Sequence, residues 1–171
     1  MPRIRLGALA GVITTALMLV VAPPAAGQDE GIAVGTAAPA PTLPALDGAP
    51  VRLDSIIGRR PVLIEFWATW CGSCKAMLPR LREAHARWGR SVEFIGVNVT
   101  ISETRDSVAA WVARESPPFT ALWDADGDAA RAFDAQATSF IVIVDRRGRV
   151  AYTGLGGTQN LEPILRQVAA P

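Results

Sequence analysis

Apolar and polar positions along the chain follow two periods, and these periods predict an alternation of strands and helices. Short apolar runs, with a period of two or with no polar interruption, are typical of half-buried or buried strands. The last two runs flank a turn at residues 145–148 and therefore predict an antiparallel hairpin. The predicted strands are residues 62–67, 92–99, 119–123, 140–144 and 150–153. Strands that alternate with helices and end in a hairpin predict an α/β fold with a mixed sheet.

Apolar residues spaced three and four positions apart predict helices between and after these strands. In the first helix, Pro79 should produce a kink, because proline lacks the N–H that a helix interior uses. Ser102 is the expected N-cap of the second helix, and Thr158 or Asn160 is that of the last. The predicted helices are residues 72–89, 102–114, 129–133 and 161–168.

Residues 1–27 have the composition of a targeting segment. They begin with Arg3 and Arg5, continue with an uncharged apolar run, and end in prolines and small residues. This pattern is typical of a secretory signal peptide, which we expect to be cleaved after Gly27. The run is also long enough for an uncleaved membrane anchor, which stays an alternative.

The segment before the first long strand is rich in Ala, Pro and Gly. Residues 28–36 predict a flexible lead-in, and the domain is expected to cover residues 37–171. Asp47-Gly48, between two short apolar segments, predicts an N-terminal β-hairpin.

Composition and charge argue against several classes of protein. The 17 basic and 16 acidic residues give a formal net charge of +1, which does not favour nucleic-acid binding. Half of the residues are hydrophobic and 19% are charged, so the chain is not largely disordered. Two cysteines and one histidine are too few for a disulfide-dense scaffold or for a four-ligand zinc site within one chain. We expect no metal and no cofactor.

The candidate chemistry lies in Cys71-Gly72-Ser73-Cys74, which follows a predicted strand and opens a predicted helix. The unpaired N–H groups and the positive dipole end of a helix N-terminus stabilise a thiolate. Cys71, at the exposed cap, would attack a substrate disulfide, and Cys74, one turn inside and partly buried, would resolve the mixed disulfide. The reverse sequence oxidises a dithiol. An inert disulfide and a metal site shared by two chains are the alternatives.

Glu65 is an acidic residue inside the apolar strand that precedes the motif. Strand alternation places it on one face with Leu63 and Trp67. Because burial disfavours the ionised carboxylate, the pKa of Glu65 should rise, which suits a proton shuttle for the Cys74 thiol. A partly solvated Glu65 without a catalytic role is the alternative.

Three further residues near the motif have simpler interpretations. Trp70 is expected to shield the sulfur of Cys71 and to offer an apolar contact to a partner. Lys75 is the only lysine, and we interpret it as a solvated helix residue. His85 is the only histidine, and we assign it to packing or to the helix surface.

Seven segments together carry a family resemblance: residues 35–39, 47–48, 58–71, 79, 97–99, 124–127 and 144–148. The most specific is Trp67-Ala-Thr-Trp-Cys71. With these segments, the chain from about Gly35 to Val168 resembles the TlpA/ResA branch of exported thioredoxin-fold thiol–disulfide oxidoreductases. The resemblance implies a thioredoxin fold, with a central mixed β-sheet flanked by helices, an N-terminal β-hairpin and a helical insertion. It also implies a nucleophilic Cys71 and a resolving Cys74, and Glu65 falls where many thioredoxins carry a buried acid.

Two positions depart from the family pattern. The cis-proline that faces the cysteines is replaced by Ser139, preceded by Thr138, so this substrate-pairing loop is expected to be strained or trans. Met77 replaces a glutamate of some cytochrome-maturation members, which weakens an assignment to cytochrome c maturation. The expected substrate-binding residues are Trp70, Gly72, Ser73, Thr138 and Ser139.

The sequence therefore predicts an exported, periplasmic or otherwise extracytoplasmic thiol–disulfide oxidoreductase. The resemblance favours a disulfide reductase that acts on protein substrates and is reduced again by a membrane electron donor. No nucleic acid is expected as a partner, and the membrane is one only if the N-terminal segment is uncleaved. The alternatives are a dithiol oxidase and a non-catalytic protein that uses the fold to bind a partner or a metal.

Overall fold

The computed structural model describes residues 31–170. The predicted signal peptide of residues 1–27, and with it the alternative of a membrane anchor, lies outside the described residues. Within the described part of the chain, no helix combines the length and the apolar character needed to cross a bilayer. The described end of the predicted lead-in hydrogen bonds to the sheet, where the Gly35 N–H donates to the Val150 carbonyl at 2.7 Å.

The described residues form strands and helices in the order that the hydrophobic pattern predicts. In chain order the elements are β1 (Thr42–Pro44), β2 (Pro50–Arg52), β3 (Val62–Trp67), α1 (Gly72–Trp88), β4 (Glu93–Asn98), α2 (Arg105–Glu115), β5 (Thr120–Trp123), α3 (Asp128–Ala132), β6 (Phe140–Val144), β7 (Val150–Leu155) and α4 (Glu162–Ala169). A short 3₁₀ turn, Leu53–Ser55, follows β2.

The strands form a hairpin and one larger sheet. β1 and β2 are antiparallel and make the predicted N-terminal hairpin. The other five described strands lie in the order β5-β4-β3-β6-β7. β3, β4 and β5 are parallel, whereas β6 is antiparallel to β3 and β7 to β6. This topology confirms the predicted mixed sheet and its terminal hairpin.

β3 is the central strand and is buried along its whole length. Its even-numbered residues pack against the N-terminal hairpin and α3. Its odd-numbered residues lie on the opposite face, where Leu63 packs with α1 and α4, and Trp67 with α1 and α2. The predicted alternation is confirmed, and it places Glu65 on the helix-covered face.

The N-cap of α2 differs from the prediction. The cap is Thr104, whose hydroxyl accepts from the Ser107 N–H at 3.2 Å, while the Ser107 hydroxyl accepts from the Thr104 N–H at 3.1 Å. Ser102 does not cap the helix, because its φ of +57° is left-handed whereas an N-cap residue is extended.

The start of α4 also differs from the prediction. Neither Thr158 nor Asn160 occupies the cap position, which belongs to Leu161 and has no side-chain cap. Leu161 is buried in the core with α1, so packing fixes the start of the helix. Asn160 contributes only a longer bond, in which its Oδ1 accepts from the Glu162 N–H at 3.3 Å.

Candidate active site

Cys71 and Cys74 form a disulfide at the junction of β3 and α1. Cys71 is the N-cap of α1, and its Sγ accepts from the Cys74 N–H at 3.0 Å. The Ser73 hydroxyl lies 3.4 Å from the same sulfur. Because the first amides of a helix have no partner within the helix, this end of α1 supplies donors to a sulfur that becomes anionic when the disulfide opens.

The burial of the two cysteines corrects the expectation that Cys71 is exposed and Cys74 only partly buried. In the disulfide form, Cys71 is 2% exposed and Cys74 is 7% exposed. Both pack in one cluster with Trp67 and with α2, which places the sulfurs below the surface. Gly72 and Ser73, the two residues between the cysteines, are exposed.

Glu65 lies on the helix-covered face of β3, between Gly96 of β4 and Ile141 of β6. The residue is buried, and its Oε1 has no hydrogen-bond partner among the described residues. Burial raises the pKa of Glu65 from 4.5 to about 8, in the predicted direction. The carboxyl therefore exchanges a proton in the pH range in which thiols ionise.

Gly96 shapes the space beside Glu65, and no pattern in the sequence indicates this role. A Cβ at this position would lie 2.4 Å from the Phe119 ring and 2.8 Å from the Trp67 Nε1. Two aromatic side chains thus occupy the room that a side chain on β4 would fill. They cover the sheet next to the buried carboxyl, which helps to explain its desolvation.

The loop before β6 adopts the trans alternative: none of the peptide bonds in the described residues is cis. Ser139 is fully buried, with a left-handed φ of +63°. Its N–H donates to the Phe66 carbonyl at 2.8 Å, and its carbonyl accepts from the Gly156 N–H at 3.0 Å and from the Gln159 Nε2 at 3.3 Å. Contact between the Ser139 backbone and a substrate requires these bonds to open.

A groove of about 590 Å³ begins at Trp70 and includes Thr138. Trp70 is 50% exposed, and its indole Nε1 donates to the Ile101 carbonyl at 2.8 Å. Ile101 is itself 62% exposed. The remaining lining comes from the loops after β4, β5 and α3 and from α3 itself: Val99, Thr100, Ala125, Asp126, Gly127, Ala130, Arg131, Ala135, Gln136 and Ala137. The predicted contacts Trp70 and Thr138 therefore line one mostly apolar groove, and Trp70 is the residue before Cys71 in the chain.

Lys75 and His85 have the surroundings of surface residues. Both are exposed on α1, and the His85 ring meets the edge of Phe94 at a centroid distance of 5.1 Å. Their places agree with a solvated helix residue at position 75 and a helix-surface residue at position 85.

Comparison with known proteins gives consistent matches. The model of the AhpC/TSA family matches residues 34–153. The thiol-disulfide oxidoreductase ResA of Geobacillus kaustophilus (strain HTA426) is 28% identical over 142 residues, which cover 82% of this chain and 79% of that protein.

Two solved structures share the fold. A structure from Chlorobium tepidum, described as a thiol:disulfide interchange protein DsbE, has a TM-score of 0.72 and 25% identity and covers 81% of this chain and 99% of its own. A secreted Mycobacterium tuberculosis disulfide oxidoreductase homologous to Escherichia coli DsbE has a TM-score of 0.64 and 26% identity, with 76% and 95% covered.

These matches agree with the fold and the enzyme class that the tryptophan–cysteine segment predicts. The family match extends over more than half of the chain and includes β3, the Cys71–Cys74 disulfide and the loop before β6. The chain belongs to the AhpC/TSA family of thioredoxin-fold proteins, and its relatives are named thiol–disulfide oxidoreductases.

Proposed function

We propose that this protein is an exported disulfide reductase that exchanges its Cys71–Cys74 pair with disulfides of other proteins. The observation that carries the proposal is the disulfide at the N-terminus of α1, on the same face of the sheet as the buried carboxyl of Glu65. A helix N-terminus stabilises the attacking thiolate, and a carboxyl with a pKa of about 8, although mostly protonated at neutral pH, has an ionised form basic enough to take a proton from a thiol.

The reaction proceeds in two exchanges. The Cys71 thiolate attacks one sulfur of the substrate disulfide, so a Cys71–substrate disulfide forms and the other substrate sulfur leaves as a thiolate. The Cys74 thiol then loses its proton to the Glu65 carboxylate, and the Cys74 thiolate attacks the Cys71 sulfur. The Cys71–Cys74 disulfide closes, and the second substrate thiolate leaves. Two electrons have then passed from the protein to the substrate.

The groove at Trp70 is where we place the substrate chain next to its reacting cysteine. Exposed Trp70 and Ile101 offer apolar contacts at its rim, and Thr138 lies along its length. Gly72 and Ser73 border the sulfurs and would contact the substrate first. Ser139 lies behind this surface and takes part only when its backbone bonds open.

A reductase of this kind is exported and has to be reduced again after each turnover. The signal-like composition of residues 1–27 supports export, and one relative of known structure is a secreted protein. An oxidising compartment would leave the pair as a disulfide, so a reductase there needs a membrane electron donor. The dithiol oxidase uses the same atoms in reverse and is separated from the reductase by its potential.

The decisive measurement is the equilibrium potential of the Cys71–Cys74 pair. The full chain is expressed with export, its mature N-terminus is sequenced, its metal content is determined, and the pair is equilibrated with glutathione and dithiothreitol. A reversible couple near about −270 mV is expected for a reductase, whereas one near about −120 mV would identify an oxidase. The absence of a reversible couple, or a bound metal that protects both thiols, would leave the non-catalytic binding protein.

A further inference from the structure

The loop between β4 and α2, residues 99–104, is fastened to the two residues that precede the redox pair. The Glu103 Oε1 accepts from the Thr69 N–H at 3.0 Å and also from the Thr69 hydroxyl. The Trp70 indole donates to the Ile101 carbonyl at 2.8 Å. Thr69 and Trp70 belong to the motif, whereas the loop lies about thirty residues further along the chain, so these bonds join two separate segments.

The second carboxylate oxygen of Glu103 continues the connection into the sheet. Oε2 accepts from the Asn98 Nδ2 at 2.8 Å, and the Asn98 Oδ1 accepts from the Thr100 N–H at 2.9 Å. Asn98 is fully buried and lies directly beside Trp67 of β3. Glu103 thus bridges the end of the sheet to the motif, with both of its oxygens engaged by neutral donors.

The backbone of the loop needs such an attachment. Thr100 and Ser102 have φ values of +60° and +57°, a left-handed conformation that a β-branched residue such as threonine rarely adopts. A segment of this kind persists only where its surroundings hold it. The bond from Thr100 to Asn98 and a second bond, from the Thr100 hydroxyl to the Asp124 carbonyl at 3.2 Å, hold it here.

The fastened loop forms one wall of the groove. Val99, Thr100 and Ile101 line it together with Trp70. The bonds of Glu103 therefore fix the position of this groove wall relative to Thr69, two residues before Cys71. Glu103 itself is absent from the groove lining, so it acts on a substrate only through these neighbours.

We infer that Glu103 is a positioning residue that sets the affinity of the groove for protein substrates. The inference rests on the proposed function. The substitution Glu103→Gln tests it, because a glutamine has the same shape but only one acceptor oxygen. If that oxygen faces Thr69, the amide nitrogen faces the Asn98 Nδ2, and two donors meet. The side-chain amide of Asn98 cannot flip to exchange its nitrogen and oxygen, because its Oδ1 would then lose the bond from the Thr100 N–H.

The assay compares a protein substrate with a small one. The full chain is reduced, and its single-turnover rates are measured with rising concentrations of insulin and, separately, with 5,5′-dithiobis(2-nitrobenzoic acid). We expect E103Q to raise the half-saturating insulin concentration about five-fold, the effect of one hydrogen bond. The maximal rate and the rate with the small disulfide should stay within about two-fold of those of the parent chain.

Thr104→Ala is the matched control. It removes the capping box of α2 and destabilises the same region, while the contacts of Glu103 remain. The inference predicts that T104A lowers the thermal midpoint and leaves the half-saturating insulin concentration unchanged. An equal rise in that concentration for T104A, or no rise for E103Q, would overturn the inference. A parent chain that fails to reduce insulin would instead overturn the proposed function.

A rescue variant tests the route through Asn98. In Asn98→Asp/Glu103→Gln the glutamine amide can donate to an aspartate, which can still accept from the Thr100 N–H, so every bond is remade with the net charge preserved. We expect this double variant to recover at least half of the affinity lost in E103Q. A folded double variant with the affinity of E103Q would contradict the coupling of Glu103 to the sheet.

Discussion

The carboxyl of Glu65 is buried in the sheet and titrates well above the range of an exposed glutamate. It lies on the central strand, where neighbouring strands and covering helices exclude water, and it stands on the face that α1 covers. Burial favours its protonated form and moves its pKa to about 8. The same burial makes the stability of the folded protein depend on pH.

We expect the stability of the oxidised protein to fall as the pH rises from about 5 to about 8. Glu65 has a folded pKa of about 8, above its usual 4.5, so between these values the folded state binds more protons than the unfolded state. Ionisation on unfolding then destabilises the fold by at most about 1.4 kcal/mol per pH unit. Urea unfolding from pH 5 to 9 measures this slope.

Glu65→Gln should remove most of that slope, because a neutral amide does not titrate. The control Glu83→Gln changes an exposed glutamate on α1 and should retain the slope of the parent chain. Equal slopes in the parent chain and E65Q would mean that Glu65 does not carry the raised pKa.

At the scale of single elements, the packing of Phe119 and Trp67 against β4 depends on Gly96, which has no side chain. Gly96→Ala should destabilise the fold by about 1–3 kcal/mol, since the added Cβ would overlap the Phe119 ring and Trp67 in a packed core. Thermal or urea unfolding measures the loss. In the double variant Gly96→Ala/Phe119→Leu, the loss of stability should be smaller than the sum of the losses in the two single variants. The reason is that leucine vacates part of the space that the new Cβ needs. Strict additivity would show that Phe119 is not the obstacle.

The loop before β6 is held by hydrogen bonds in place of the family proline. Ser139→Pro should lower stability by about 1–3 kcal/mol, because proline has no N–H for the Phe66 carbonyl and cannot adopt a φ of +63°. Ser139→Ala keeps the N–H and removes a hydroxyl that has no hydrogen-bond partner within residues 31–170, so its stability should stay within about 0.5 kcal/mol of the parent chain.

Urea unfolding of the two oxidised variants separates these cases. A proline variant as stable as the parent chain would indicate that the loop has moved to another conformation. Its exchange rate with insulin would then show whether that conformation is the more active one.

At the scale of the whole molecule, the two cysteines should have unequal roles in complexes with other proteins. Cys74→Ser keeps the nucleophile and removes the resolving thiol, so a Cys71–substrate disulfide should persist. An intramolecular thiol acts at a high effective concentration, and its loss should slow release by at least about 10²-fold. Non-reducing electrophoresis after reaction with insulin measures the complex.

Cys71→Ser is the control for this experiment, and it should form no complex at comparable rates. Complexes formed equally by both serine variants would assign the nucleophile to neither cysteine alone. Complexes formed only by Cys71→Ser would reverse the two roles.

Several features of the molecule could be predicted because they depend on neighbours in sequence. The hydrophobic periods predict the order of the elements, the turn at residues 145–148 predicts the final hairpin, and strand alternation predicts the face of Glu65. The strand–motif–helix order places Cys71 at a helix N-terminus. Each of these follows from local backbone geometry and from the need to bury one face.

Other features were decided by contacts between segments that are distant in the chain. Glu103 binds Thr69, 34 residues away, and Gln159 binds the Ser139 carbonyl from 20 residues away. Local rules predicted Ser102 as a cap, but Ser102 has a left-handed φ and the cap is Thr104.

The sequence by itself determined the fold class, the spacing of the redox pair and the strand face of Glu65, since period and spacing are properties of short stretches of chain. Only the tertiary structure decided the burial that raises the pKa of Glu65, the depth of the cysteines, the hydrogen bonds that replace the family proline, and the groove wall that Glu103 holds. Packing brings these groups together, and no local pattern specifies which distant side chain meets which backbone.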